Sequence, residues 1–489
     1  MTMFDRRQFL GSSLIAGAAI ITPDRALAGA APAGWALGVA DIEADIAEDG
    51  LNLVHGALPD GFAATLYRNG PAKFRRGTSS AGHWFDGDGL VRRWRVRDGK
   101  ATMAARFVDT PKRRLETKLN AVVQPGFGSP QRSGAVVNGP DDTNAANTSV
   151  LVNNGQLYAL WEGGSPTMLN AETLATMGPK TFRRDLKQMP FSAHPRVDRD
   201  GTVWNFGGNG KGTFIWKLGA DGSLGKAEMV KLDRNSYFHD FTTTARHLII
   251  VLQPWMQEEF KFPLSTGMAW KPEVGTQVLV IDKDDFSKRR VFELPAFSFF
   301  HLADGWEEKD GTIRFDGCLE ANPTFGQTSA SALLRGEFVK APTPMLTQIV
   351  LLPDGKAVMT STRIAAEFPS SDHRMAGQAR RFTTHVTGYR NTPFPHAIAM
   401  WDWQKGRDDK HDFGNQQLVE EFLFVPKSGS ANAGMAAGER DGWLMGTTLN
   451  LKESKTELHI LDTRRISDGP VATLRAQVAL PLSFHGTIG

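Results

Sequence analysis

Ser149-Val150-Leu151-Val152-Asn153-Asn154-Gly155-Gln156-Leu157-Tyr158-Ala159-Leu160-Trp161 is the stretch on which the fold turns. Two runs rich in aliphatic, β-branched and aromatic residues, 149–152 and 156–161, flank Asn154-Gly155, a dipeptide that tolerates the positive φ angles of a two-residue hairpin turn. The same pattern repeats along the chain. Asp-Gly recurs at 86–87, 98–99, 200–201, 221–222, 310–311, 354–355 and 441–442, and Asn-Gly at 69–70 and 209–210. Between these turns lie short runs such as 202–206, 247–252, 277–281, 348–352 and 457–461, each the length of a strand. Helical periodicity is sparse, with candidates only near 41–48 and 328–334. The chain therefore reads as all-β. Strand, tight turn and strand repeated over more than 400 residues without a Pro/Ser-rich linker after residue 35 fit a β-propeller better than a sandwich, which at this size would split into several domains.

Composition narrows the function classes. Of 489 residues, 41% are hydrophobic and 22% charged, which suits a water-soluble globular body. The formal net charge of +3 is too small to create a nucleic-acid-binding field, so no nucleic-acid partner is expected. With Cys318 the single cysteine, neither an intramolecular disulfide nor a thiolate cluster is available, and any metal must be held by imidazole or carboxylate. At the N-terminus, Arg6-Arg7 precedes an apolar run from Phe9 to Ile21 and then Ala26-Leu27-Ala28. The run is too short to span a bilayer, so residues 1–28 read as a twin-arginine signal peptide, with 35–489 as one domain and a periplasmic or otherwise exported destination.

Standard nucleotide and nucleophile motifs are missing. Gly207-Gly208-Asn209-Gly210-Lys211-Gly212 lacks the Ser or Thr a phosphate loop needs after its lysine, and reads as a loop beside a strand. Four of the twelve histidines share a setting, in Ala193-His194-Pro195, Phe238-His239-Asp240, Phe300-His301-Leu302 and Phe484-His485-Gly486. No helix or hairpin can gather them, but the inner ends of propeller blades converge on one axis. On spacing alone such histidines are more often packed or surface side chains than ligands, and the site stays undecided.

Further motifs carry a family signal. Gly70-Pro71, then Gly82-His83-Trp84-Phe85-Asp86-Gly87-Asp88-Gly89-Leu90, Asn147-Thr148, Ala159-Leu160-Trp161-Glu162-Gly163-Gly164, Ala193-His194-Pro195, Phe238-His239-Asp240-Phe241, Phe300-His301, Glu367-Phe368-Pro369, Glu421 ahead of Phe424-Val425-Pro426, Asp441-Gly442-Trp443 and Phe484-His485-Gly486 follow in order. Together they resemble the carotenoid cleavage oxygenase family over roughly residues 50 to 489. The resemblance implies a seven-bladed propeller with a dome of loops and helices over one face. It also implies one non-haem Fe(II) per chain on the axis, held by His194, His239, His301 and His485. Glu162, Glu367 and Glu421 match the family's carboxylates that accept the outer N–H of three of these imidazoles, which fixes tautomer and orientation. Thr148 matches a threonine that leans over an open metal position, and on sequence alone reads equally as a strand residue beside a turn. His485 lies four residues from the last residue of the sequence, so the fourth ligand is expected close to a flexible terminus.

The reaction this resemblance implies is cleavage of a carbon–carbon double bond by O2 to give two carbonyl products. An apocarotenoid or carotenoid is the favoured substrate. In the stilbene-cleaving branch a lysine precedes the first glutamate, whereas Trp161 stands here, and no tyrosine lies between Arg106 and Thr148 to bind a phenol. A stilbenoid substrate on the same iron site is the alternative, with non-oxidative isomerisation of a retinoid ester and a purely binding propeller behind it. An apolar polyene implies peripheral membrane contact. The basic stretches 73–76, 92–97 and 112–118, with Phe74 and Trp94 interleaved, read either as contacts for anionic headgroups or as solvated strand edges guarded by charge.

Overall fold

In the computed structural model, which describes residues 34–208, 212–427 and 438–489, the hairpin at 149–160 forms as its turn chemistry dictates. Strands Ser149–Asn153 and Gln156–Leu160 pair antiparallel, and Asn154 and Gly155 both take positive φ (49° and 71°). Asp98-Gly99 joins strands Gly89–Arg97 and Lys100–Phe107 in the same way. Asn209-Gly210 and the signal-peptide reading of residues 1–28 lie outside the described residues.

Seven antiparallel sheets of four or five strands follow one another along the chain, one per blade of a β-propeller. Gly34–Gly489 forms a single unit. Blade 1 runs outward from the axis as His485–Ile488, Ala64–Pro71, Gly89–Arg97, Lys100–Phe107 and Ile46–Gly50. Blades 2 to 6 are continuous in sequence. Blade 7 takes its first four strands from 417–475 and its fifth, Asn52–Gly56, from the start of the described chain. The ring is thus closed twice: the strand from the far end of the sequence lines the axis in blade 1, and neighbouring N-terminal strands form the rims of blades 1 and 7. Apolar side chains are buried chiefly between adjacent blades. One cluster joins Leu66, Trp94 and Met103 of blade 1 to Met445, Leu458 and Ile460 of blade 7, and another joins Ile249, Val278 and Phe292 of blade 4 to Phe299, Phe315 and Ile349 of blade 5. Alternation along each strand supplies both faces.

Three sequence expectations are corrected. Residues 41–48 are not helical: the chain enters strand Ile46–Gly50, where Ile42 and Ile46 pack on blade 1 while Glu48 pairs with Arg93 and Asp45 with Arg106, so their four-residue spacing serves an edge strand. A helix does form at Pro111–Leu119, inside a stretch read only as basic. Thr110 caps it by accepting from Arg113 N (3.2 Å), Pro111 occupies its first turn, and Asn120 closes it in the left-handed region. Lys112 and Glu116 are buried and pair with each other (3.0 Å), and Lys112 also reaches Asp88 (2.8 Å). Arg76, Arg92 and Arg93 are likewise buried, and Lys73 bonds Glu43, so about half of the cations in these stretches face inward or are paired rather than forming a continuous basic surface, while Arg75, Arg97, Arg114 and Lys118 stay exposed. The expectation at 328–334 stands as the turn Ala330–Leu333, which follows a π-helical turn at Phe325–Ser329.

The terminus expectation fails too. Strand His485–Ile488 pairs residue by residue with Leu66 to Asn69. The fully buried Arg68 guanidinium donates to Ser483 Oγ (2.6 Å), Glu421 O (2.7 Å) and Phe484 O (3.1 Å), clamping the segment that carries His485.

Candidate metal centre and substrate cavity

Each blade brings one polar group to the axis. His485 opens the inner strand of blade 1, His194 and His239 precede the inner strands of blades 3 and 4, and His301 lies within that of blade 5. Blade 2 supplies Glu162 just past its second strand, and blades 6 and 7 supply Glu367 and Glu421 from their inner strands. The four imidazoles are brought together with their ligand nitrogens all within 4.8 Å of one another. His194 Nε2 and His239 Nε2 are 2.8 Å apart, and His301 Nε2 is buried with no hydrogen-bond partner.

The outer nitrogens explain which edge faces inward. His239 Nδ1 bonds Glu162, His301 Nδ1 bonds Glu367 (2.5 Å) and His485 Nδ1 bonds Glu421 (3.3 Å). An Nδ1–H given to a carboxylate leaves the Nε2 lone pair for a metal. The carboxylates are themselves held: Phe368 N donates to Glu367 (2.8 Å), Gly486 N to Glu421 (2.9 Å) and the Tyr237 hydroxyl to Glu162 (3.1 Å). His194 has no glutamate, and Asp240 stands 4.0 Å from its Nδ1, held by Arg196 (2.7 Å) and Leu302 N (2.8 Å). Burial, reinforced by the neighbouring imidazoles, keeps His194 well below its ordinary pKa of 6.5, and burial takes His485 down to about 4. Both are therefore neutral, the ligating form, at pH 7. An orphaned buried nitrogen among four convergent imidazoles fits a divalent first-row metal.

A cavity of about 970 Å³ opens over His239, His301 and His485. Its walls include Trp84, Phe85, Phe127, Phe300, Phe325 and Phe394, with Trp161 and Thr148 also lining it. The Thr148 hydroxyl donates to Asn147 Oδ1 (3.1 Å), and its carbonyl accepts from His485 N (3.3 Å), which ties the threonine to the closing strand. His83, within the glycine-rich stretch, is no ligand: Nδ1 accepts from Phe85 N (3.1 Å) and Nε2 bonds Gly326 O (3.0 Å). The glycines of that stretch permit close approach, since a Cβ on Gly89 would lie 2.0 Å from Ala146 O and one on Gly82 2.0 Å from Gly128 O.

The model of one family, described as retinal pigment epithelial membrane protein, matches residues 39–487. The chain belongs to this family. Among curated members, it is 27% identical over 457 residues to an isoeugenol monooxygenase of Pseudomonas putida, covering 88% of this chain and 93% of that protein. It is 26% identical over 462 residues to the apocarotenoid-15,15'-oxygenase of Synechocystis, covering 89% and 92%. A solved structure of Synechocystis apocarotenoid oxygenase superposes with a TM-score of 0.84 at 24% identity, over 94% of this chain and 99% of that one. The family resemblance and the propeller expected from the sequence both hold.

Sequence reasoning missed Tyr237, Tyr389 and Glu320, which all line the cavity. Tyr237 was findable: it lies two residues before His239, where strand-like alternation returns a side chain to the same side. The other two sit at strand ends with no motif around them.

Proposed function

We propose that the chain is a non-haem Fe(II) dioxygenase that cleaves a carbon–carbon double bond of an apocarotenoid or similarly extended alkene, inserting both atoms of O2. The balance is R–CH=CH–R′ + O2 → R–CHO + OHC–R′, so no external reductant is consumed. The observation that carries this reading is the set of four convergent imidazoles, three of them bonded to carboxylates, at the base of a largely apolar cavity. His194, His239, His301 and His485 would hold the iron, which when bound supplies the one-electron chemistry that ground-state O2 requires. Glu162, Glu367 and Glu421 fix the imidazoles. The aromatic walls exclude water and orient the alkene, and the cavity lies at the upper end of the ~300–1,000 Å³ usual for ligand sites. Thr148, on the wall beside His485, restricts how a small ligand approaches.

Delivery from a membrane fits the same reading. Phe260, 78% exposed, together with Phe262, Phe338 and Val137, gives the cavity rim an apolar character that the basic stretches do not provide. No helix among the described residues is long and apolar enough to cross a membrane, so the contact would be peripheral. The test is mass-spectrometric product analysis of iron-loaded protein with an apocarotenal, in air, under ¹⁸O2 and under nitrogen, with His301→Ala as control. Two carbonyl fragments, each carrying one labelled oxygen and absent from the control, are expected. An iron-replete protein that yields no oxygen-dependent fragment from apocarotenals or from phenolic alkenes refutes the reading.

A further inference from the structure

Most polar groups on the cavity wall are already engaged: Glu162 and Glu367 hold imidazoles, and Asp86 accepts from Phe127 N (2.7 Å), Gly128 N (3.0 Å) and Ser129 Oγ (2.7 Å). Glu320 is different. It ends strand Ile313–Glu320 of blade 5, paired with Ser298 of the strand that bears His301, and it is only 4% exposed. Its Oε1 receives one long bond from Ser298 Oγ (3.3 Å), and its Oε2 has no partner although it lines the cavity. Tyr389 stands on the next blade. It lies just beyond strand Phe382–Thr387, whose Val386 pairs with Glu367, so Glu320 and Tyr389 flank Glu367 from blades 5 and 6. No hydrogen bond is made by the Tyr389 hydroxyl among the described residues, and Ser329 Oγ, buried on the same cavity wall, is also unpartnered.

We propose that Glu320 and Tyr389 form a polar subsite that binds a hydroxyl group of the substrate, so that the alkene accepted by this chain carries an alcohol or phenol at the end docked against blades 5 and 6. This rests on the reading of the cavity as the alkene site. Burial, with Glu367 close by, pushes the Glu320 carboxyl up to about 8, and burial beside Glu367, Cys318 and Glu320 holds the Tyr389 phenol well above its usual range. Both groups are therefore neutral at pH 7. Each can donate and accept, and a hydroxyl, which also does both, satisfies them together. A hydrocarbon end leaves a desolvated carboxyl oxygen orphaned, the situation in which a site rejects the analogue lacking the polar group. The subsite also fixes which end of an asymmetric alkene enters first, and hence which double bond stands over the imidazoles.

The test measures binding to metal-loaded protein under nitrogen, so it does not depend on turnover. Tryptophan fluorescence quenching is recorded with matched pairs: a ring-hydroxylated apocarotenal against its deoxy form, and isoeugenol against its analogue without the phenolic hydroxyl. Wild-type protein is expected to favour one hydroxylated member by about 10- to 100-fold. The pair that shows the preference identifies the hydroxyl as alcohol or phenol. Glu320→Leu and Tyr389→Phe should each erase most of the preference while leaving affinity for the deoxy ligand within about twofold, and Glu320→Gln, a neutral group with donor and acceptor, should restore it. Equal affinity for both members of both pairs overturns the subsite, as does an undiminished preference in Glu320→Leu and Tyr389→Phe. Retained discrimination in a protein that gives no cleavage products refutes the dioxygenase reading alone.

Discussion

Replacing Arg68 by methionine isolates what holds the fourth histidine in place. The side chain keeps most of its length, but Ser483 Oγ, Glu421 O and Phe484 O lose their charged donor, and Glu420, 4.0 Å from Arg68 Nε, keeps Arg92 at 3.6 Å as its cation beside its hydrogen bonds from Thr447 and Ser483. Breaking one side of a buried charged network costs about 3–5 kcal/mol. For the Gly34–Gly489 body the unfolding entropy is of the order of 1 kcal/mol per kelvin, so Tm should fall by about 3–5 °C. The local effect is larger. If the same free energy is lost from docking of strand His485–Ile488 alone, its detached population rises about 10²–10⁴-fold. Metal release to a chelator should accelerate accordingly, while Arg68→Lys, which keeps the charge but not the fork, should fall between variant and wild type. Calorimetry and chelator-induced metal release monitored by absorbance provide the readouts. A methionine variant with Tm within 1 °C of wild type and an unchanged release rate would refute the clamp.

Two further outcomes follow from buried groups. Glu320 titrates near 8 in the fold against an ordinary 4.5, so the unfolded chain loses this proton first. The group's contribution is fully present below about pH 4.5 and drains by about 1.4 kcal/mol per pH unit to about pH 8, some 4–5 kcal/mol in all. Glu320→Gln should therefore gain stability relative to wild type between pH 5 and 8 in urea titrations, and parallel pH profiles would sink this. Gly89→Ala should cost at least about 1–3 kcal/mol and disturb the segment leading to Thr148, because its Cβ meets Ala146 O at 2.0 Å. Gly50→Ala, with nothing within 4 Å, is the control and should stay within about 0.5 kcal/mol.

How far the sequence could be read depended on whether a signal was local. Asn154-Gly155 dictates its own φ angles, so the hairpins and the all-β class were legible without help. The histidines were visible as four similar settings, but their convergence depends on seven sheets closing into a ring, a relation between residues up to 291 positions apart that spacing alone does not encode; it took the ordered family motifs to select it. The helix at 111–119 escaped because its buried face is built from Lys112 and Glu116, charged residues that periodicity analysis assigns to solvent and that only the Asp88 pairing makes burial-compatible. Glu320 escaped for the converse reason. A glutamate at a strand end carries no sequence mark of being dry.

The closure of the ring gives the centre a second role. Strand His485–Ile488 is the seam of the circle, pairing residues such as Asn69 and His485 that lie more than 400 positions apart, so its closure joins the two ends of the described body. A cation shared between His485 of blade 1 and His194, His239 and His301 of blades 3 to 5 would staple the seam to the opposite side of the ring. Loss of such an ion would then favour opening of the circle, coupling metal retention to the integrity of the ring.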